Sequence, residues 1–98
     1  MITDLLARVQ PFQVRLTTQF RSVNSRVGFL IYGEHGVGEW APFSDYQPKA
    51  AAKWLAAALE AADQPRENLV RNSVAANGIV PALPPTQAAT WAADLINK

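Results

Sequence analysis

Apolar and polar positions alternate cleanly near the start of the chain. Phe12, Val14, Leu16, Thr18 and Phe20 fall on every second residue, with Gln13, Arg15, Thr17 and Gln19 between them. That period-2 pattern predicts a half-buried strand within residues 7–20. Pro11 suits a strand entry or an edge, where its missing N–H does little harm. The polar run "RSVNSR", residues 21–26, predicts a loop, and "VGFLIYG", residues 27–33, a second strand. Gly33-Glu34-His35-Gly36 reads as a hairpin turn and "VGEW", residues 37–40, as a third strand. The outcome is a three-stranded antiparallel meander.

The period then changes. From Pro48, Ala51, Trp54, Leu55, Ala58, Leu59 and Ala62 recur at helical spacing in an alanine-rich stretch, and alanine is the strongest helix former. Pro48 fits the first helical position, where no backbone donor is needed. Gln47 before it is a weak cap, so this helix start depends on tertiary contacts. Lys49, Lys53 and Glu60 occupy the wetter side. Residues 63–72 form a polar connection around Pro65. Residues 73–83, "SVAANGIVPAL", are small and apolar without alternation, as expected of a strand covered on both faces. Pro84-Pro85-Thr86 opens a second helix, with Ala88, Trp91, Ala92, Leu95 and Ile96 on one face. The fold class is α+β, with two parts, residues 1–70 and 71–98. A parallel strand needs neighbours on both edges, and the residues after it supply none, so the second part reads as incomplete without more polypeptide.

Composition narrows the function. The chain has 98 residues, 17% of them charged, with a net charge of +1 and no cysteine. Its basic residues are scattered, giving no field for nucleic acid or an anionic membrane. No disulfide or thiolate metal site can form. No run is long and apolar enough for a membrane span, and the N-terminus lacks the form of a signal peptide. A soluble, cytoplasmic protein is the expectation.

Candidate chemistry is sparse. His35 is the only histidine and sits in a turn, where an exposed, inert role is the default. Gly33, Gly36 and Gly38 lack phosphate-loop spacing and read as hairpin punctuation. Glu34, Glu39 and Asp45 show no pairing as acid and base. Arg21 and Arg26 flank a short loop, where two guanidinium groups could hold a carboxylate, although on spacing alone a pair of surface arginines without any ligand is the default. The connection "GEWAPFSDY", residues 38–46, carries three aromatics. Phe43 and Tyr46 fit a core plug as readily as a ligand wall.

Residues 17–62 resemble the N-terminal capping domain of the o-succinylbenzoate synthases of the enolase superfamily, the actinobacterial type in particular. The resemblance rests on Phe20-Arg21 leading a short loop closed by Arg26, an apolar strand, and a glycine-rich return with an aromatic. Pro42-Phe43 and Asp45-Tyr46 follow, then Pro48 opening a helix with Trp54-Leu55-Ala56-Ala57-Ala58. "NGIVPA", residues 77–82, is similar to the first barrel strand of those enzymes. Two positions depart: Gln47 stands where an acid is usual, and Gly78-Ile79 replaces Ala-Thr.

This resemblance implies a capping domain over the C-terminal mouth of a (β/α) barrel, followed here by the barrel's first βα unit. It implies magnesium held by three barrel carboxylates and a lysine that abstracts a proton α to a carboxylate, the metal stabilising the enediolate. The implied product is o-succinylbenzoate, formed by loss of water on the route to menaquinone. The family's Lys-x-Lys motif is missing, since the three lysines are Lys49, Lys53 and Lys98. No catalytic or metal-binding residue therefore maps onto this chain, and alone it is expected to be inactive. What maps is substrate binding: Arg21, Arg26, Phe43, Ser44 and Asp45, facing a small carboxylate. The expected partner is the barrel portion of the same enzyme. The alternatives are the capping domain of an N-acylamino-acid racemase or acid-sugar dehydratase, and a stand-alone, non-catalytic module.

Overall fold

The alternating stretch forms one long strand, β1 (Val9–Phe20), in a computed structural model that describes residues 2–66 and 68–97. Its neighbour β2 (Val23–Tyr32) pairs in turn with β3 (Val37–Trp40), giving the order β1-β2-β3. Strand β3 runs antiparallel to β2, with Phe29 opposite Trp40 and Ile31 opposite Gly38. Phe29 and Trp40 use that register to stack, ring centroids 5.6 Å apart, the side-chain pairing that stabilises neighbouring strands. The α+β meander is as expected. A short helix, α1 (Ile2–Ala7), precedes it, and the sequence pattern did not reveal it.

The expected loop over residues 21–26 is corrected. Only Arg21 and Ser22 lie outside the strands, with φ of 51° and 62°. Two residues of positive φ are what a type I′ hairpin turn requires, because its twist matches that of the flanking strands. Asn24, Ser25 and Arg26 are polar but belong to β2, since this part of the strand is not buried on both sides and tolerates them.

Helix α2 (Pro48–Asp63) begins at the expected proline, and Gln47 makes no side-chain cap bond. Its Ala58 and Ala62 are buried with Ile31, and Leu5, Val9, Trp40, Leu55 and Leu59 pack around them. Small residues let the helix lie directly on β3: a Cβ on Gly38 would overlap the Ala58 carbonyl. Gly38 is therefore a close-approach glycine inside a strand rather than turn punctuation. The β2–β3 turn closes through Gly33 N–H to the Gly36 carbonyl at 2.9 Å and reaches the end of α2 through His35 N–H to the Ala62 carbonyl at 2.9 Å. Arg8 completes this corner. Its guanidinium donates to both carboxylate oxygens of Asp63, at 2.6 and 2.8 Å, and to the Tyr32 carbonyl at 3.1 Å.

The chain falls into two compact units, residues 1–15 with 25–67 and residues 16–24 with 68–98. The second contains the hairpin tip and helix α3 (Pro85–Ile96). Residues 73–83, expected to be a strand, form no strand. Val74, Ile79 and Val80 are exposed. The physical reason is the one that makes a parallel strand costly in isolation: without neighbours its N–H and C=O groups have nothing to pair with. The segment is held to α3 by Trp91, whose Nε1–H donates to the Ile79 carbonyl at 3.0 Å. Leu95 fills the space beside Gly78.

Candidate functional site

The aromatic connection between β3 and α2 is irregular but held by hydrogen bonds. Trp40, at the end of β3, donates its indole Nε1–H to the Ala51 carbonyl at 2.9 Å, fixing where the helix starts relative to the strand. Ala41 is buried. The chain then turns, with Tyr46 N–H bonded to the Phe43 carbonyl at 3.0 Å. Ser44 and Asp45 stand exposed at the tip of this turn.

Phe43 and Tyr46 lie outside the buried cluster of Ile31, Ala58 and Ala62. They form a lateral ladder instead. The Phe43 and Tyr46 centroids are 5.7 Å apart, and Tyr46 meets Trp54 edge-on at 5.1 Å, a favoured aromatic geometry. Trp54 is 40% exposed, so it serves this ladder rather than the core its helical spacing suggested. The top rung is ionic. The Arg26 guanidinium carbon lies 4.1 Å from the centre of the Phe43 ring, within the range of a cation–π contact. One terminal nitrogen of Arg26 also donates to the Ala41 carbonyl.

Of the five residues expected to bind substrate, four belong to this one segment and its neighbour on β2: Arg26, Phe43, Ser44 and Asp45. Arg26 and Phe43 touch, while Ser44 and Asp45 are exposed. Arg21 lies at the hairpin tip, in the second unit. The contact of Arg26 with Phe43 was not visible in the sequence, because 17 positions separate them and only the return of β3 beside β2 brings them together.

Among the described residues, no three His, Cys, Asp or Glu side chains come together as a metal site. His35, Glu34 and Glu39 are exposed. Among the described residues the shifted carboxyl is that of Asp63, held below its ordinary value of 3.8 by the hydrogen bond from Arg8 and then by the charge of Arg8, against the opposing effect of desolvation. It serves the corner of the fold. An open groove in the second unit is lined by Thr18, Leu83, Thr86, Gln87, Trp91 and Asp94, and it brings together no acid–base or nucleophilic pair. No helix is long and apolar enough to cross a membrane among the described residues.

Comparison with known proteins agrees with this architecture. The chain is 42% identical over 78 residues to an o-succinylbenzoate synthase of Thermobifida fusca, covering 80% of this chain and 25% of that protein. It is 40% identical over 86 residues to an o-succinylbenzoate synthase of Mycobacterium ulcerans, covering 88% of this chain and 26% of that protein. An o-succinylbenzoate synthase of Mycobacterium marinum is 38% identical over 86 residues, with the same coverage of 88% and 26%. The chain thus spans about a quarter of the length of the curated relatives it matches. The model of the family described as "Enolase N-terminal domain-like" matches residues 12–62. Those residues take in nearly all of the meander, the aromatic connection and most of α2, and the chain belongs to the enolase N-terminal domain-like family.

Proposed function

We propose that this chain is the N-terminal portion of an o-succinylbenzoate synthase and supplies the part that selects the substrate. The observation that carries the proposal is its 35–42% identity to enzymes of that name over most of its length. In this proposal the enzyme is a cytoplasmic, magnesium-dependent lyase that removes water from a cyclohexadiene carboxylate on the way to menaquinone. The described residues do not fit a magnesium site, since they bring no three acidic groups or histidines together. The metal and the acid–base chemistry therefore belong to a barrel portion that is the partner of this chain.

The contribution of the chain itself is to bind, shape and exclude. The turn at residues 43–46 presents Ser44 and Asp45 to solvent, where they reach a ligand without unpacking the fold. Behind them, Phe43 and Tyr46 give the turn an apolar back wall that excludes water from a bound ring. Arg26 stands behind this wall on the same unit, its guanidinium laid on the Phe43 ring. Arg21, on the hairpin tip of the other unit, is proposed separately as a carboxylate-attracting residue.

The test is a chimaera in which this chain replaces the matching segment of the Thermobifida fusca o-succinylbenzoate synthase, assayed for dehydration with magnesium present. Dehydration well above that of the barrel portion alone is the expected result. A folded chimaera that dehydrates no faster than the barrel portion overturns the proposal, and one that racemises N-acylamino acids instead moves the chain to another enzyme of the superfamily.

A further inference from the structure

We infer that Arg26 is a positioning residue, which holds the 41–46 turn in its working shape and does not itself grip the substrate. The inference rests on the proposal that this turn faces substrate. Its grounds are geometric. One terminal nitrogen of the guanidinium is occupied by the Ala41 carbonyl. One face of the same group lies on the Phe43 ring, 4.1 Å from its centre. Ala41 is buried at the start of the turn, and Phe43 accepts the hydrogen bond from Tyr46 N–H that closes it, at 3.0 Å. Arg26 thus touches the turn at its entry and its middle, while Tyr46 and Trp54, 5.1 Å apart, join its exit to helix α2. The turn is set before any ligand arrives, so that binding need not order it.

Only a planar guanidinium can do both tasks. Its donors radiate in the plane while its face remains free to lie on an aromatic ring, whereas an ammonium is a compact point charge on a flexible stem. Lysine at this position keeps the charge and loses the clasp. A role in attracting a carboxylate substrate needs the charge alone. The two roles therefore part company at Arg26→Lys.

Two measurements test this. In the 98-residue chain, hydrogen exchange is followed at the Tyr46 amide, with the buried Ile31 as a control for global unfolding. Arg26→Lys and Arg26→Met are each expected to reduce Tyr46 protection on the order of tenfold, with Ile31 unchanged. Unchanged Tyr46 protection in both variants overturns the inference, whatever the enzyme's activity. In the chimaera, Arg26→Lys is expected to raise KM as much as Arg26→Met does, and neither is expected to add to the effect of Phe43→Leu. If Lys keeps the parent KM, or the Arg26 and Phe43 effects multiply, Arg26 acts on substrate directly and the inference falls. An inactive chimaera counts against the proposed function alone, because the exchange measurement still decides the role of Arg26.

Discussion

Gly38 of β3 and Ala58 of α2 are in backbone contact, so close that a Cβ on Gly38 would overlap the Ala58 carbonyl. Ala58 is 3% exposed, and neither element can give way without lifting the helix from the strand. Gly38→Ala is expected to lower stability by about 1–3 kcal/mol, the usual cost of overpacking. Gly36→Ala is the control: its Cβ would stand 3.1 Å from the Ala61 carbonyl, a tight contact that a small shift relieves. Urea midpoints of the two variants, compared with the parent, check the difference.

The Arg8–Asp63 pair makes the fold sensitive to acid. Asp63 is depressed below 3.8 by the hydrogen bond from Arg8. A carboxyl depressed in the folded state stabilises the fold above its unfolded value, and that contribution disappears as pH falls through the lower, folded value. Between pH 5 and 8 the pair's contribution is constant, and it begins to be lost below about pH 4. Both side chains are about one-third exposed, so the effect is modest and screened by salt. Asp63→Asn is expected to shallow the fall in the urea midpoint below pH 4.

The hairpin tip places two ordinary residues where glycine and asparagine are preferred. Arg21 and Ser22 both have positive φ, which costs an L-residue roughly 1–2 kcal/mol. Replacing the pair by Asn-Gly is expected to stabilise the chain by about 1 kcal/mol. A higher melting temperature with an unchanged circular dichroism spectrum is the result to look for. Since the same change removes Arg21, its effect on KM in the chimaera also tests that residue's proposed attraction for carboxylate.

Helix α2 starts without a side-chain cap, because Gln47 makes none. Its backbone already has the extended geometry of a cap residue, with φ of −68° and ψ of 152°. Gln47→Asp is therefore expected to add about 1 kcal/mol. The gain should shrink as pH drops below the range in which the new carboxylate is charged, and urea midpoints at pH 7 and pH 3 give the comparison.

Much of the meander and both long helices were legible in the sequence. Period-2 alternation marks β1, and alanine at helical spacing behind Pro48 marks α2, because each is a local property of a few residues. The polar run after Arg21 concealed the start of β2, since a strand exposed on part of one face can carry Asn24, Ser25 and Arg26 without penalty. A helix as short as α1 leaves too few turns for a periodic signal. Residues 73–83 have the composition of a buried strand, but composition cannot supply hydrogen-bonding neighbours, and without them no strand forms. At the candidate site, Phe43 and Arg26 could each be singled out from the sequence. Their contact could not, because it depends on strand register and on the chain turning back.

Helix α2 is tied differently at its two ends. At the C-terminal end, the Ala62 carbonyl is tied to His35 and Asp63 to Arg8. The first turn, by contrast, has no side-chain cap, and it is tied at Ala51 by Trp40. Thermal unwinding of this helix is therefore expected to start at Gln47 and to meet a tertiary hydrogen bond at Ala51. The peptide units expected to loosen first on heating are those between the aromatic turn and Ala51.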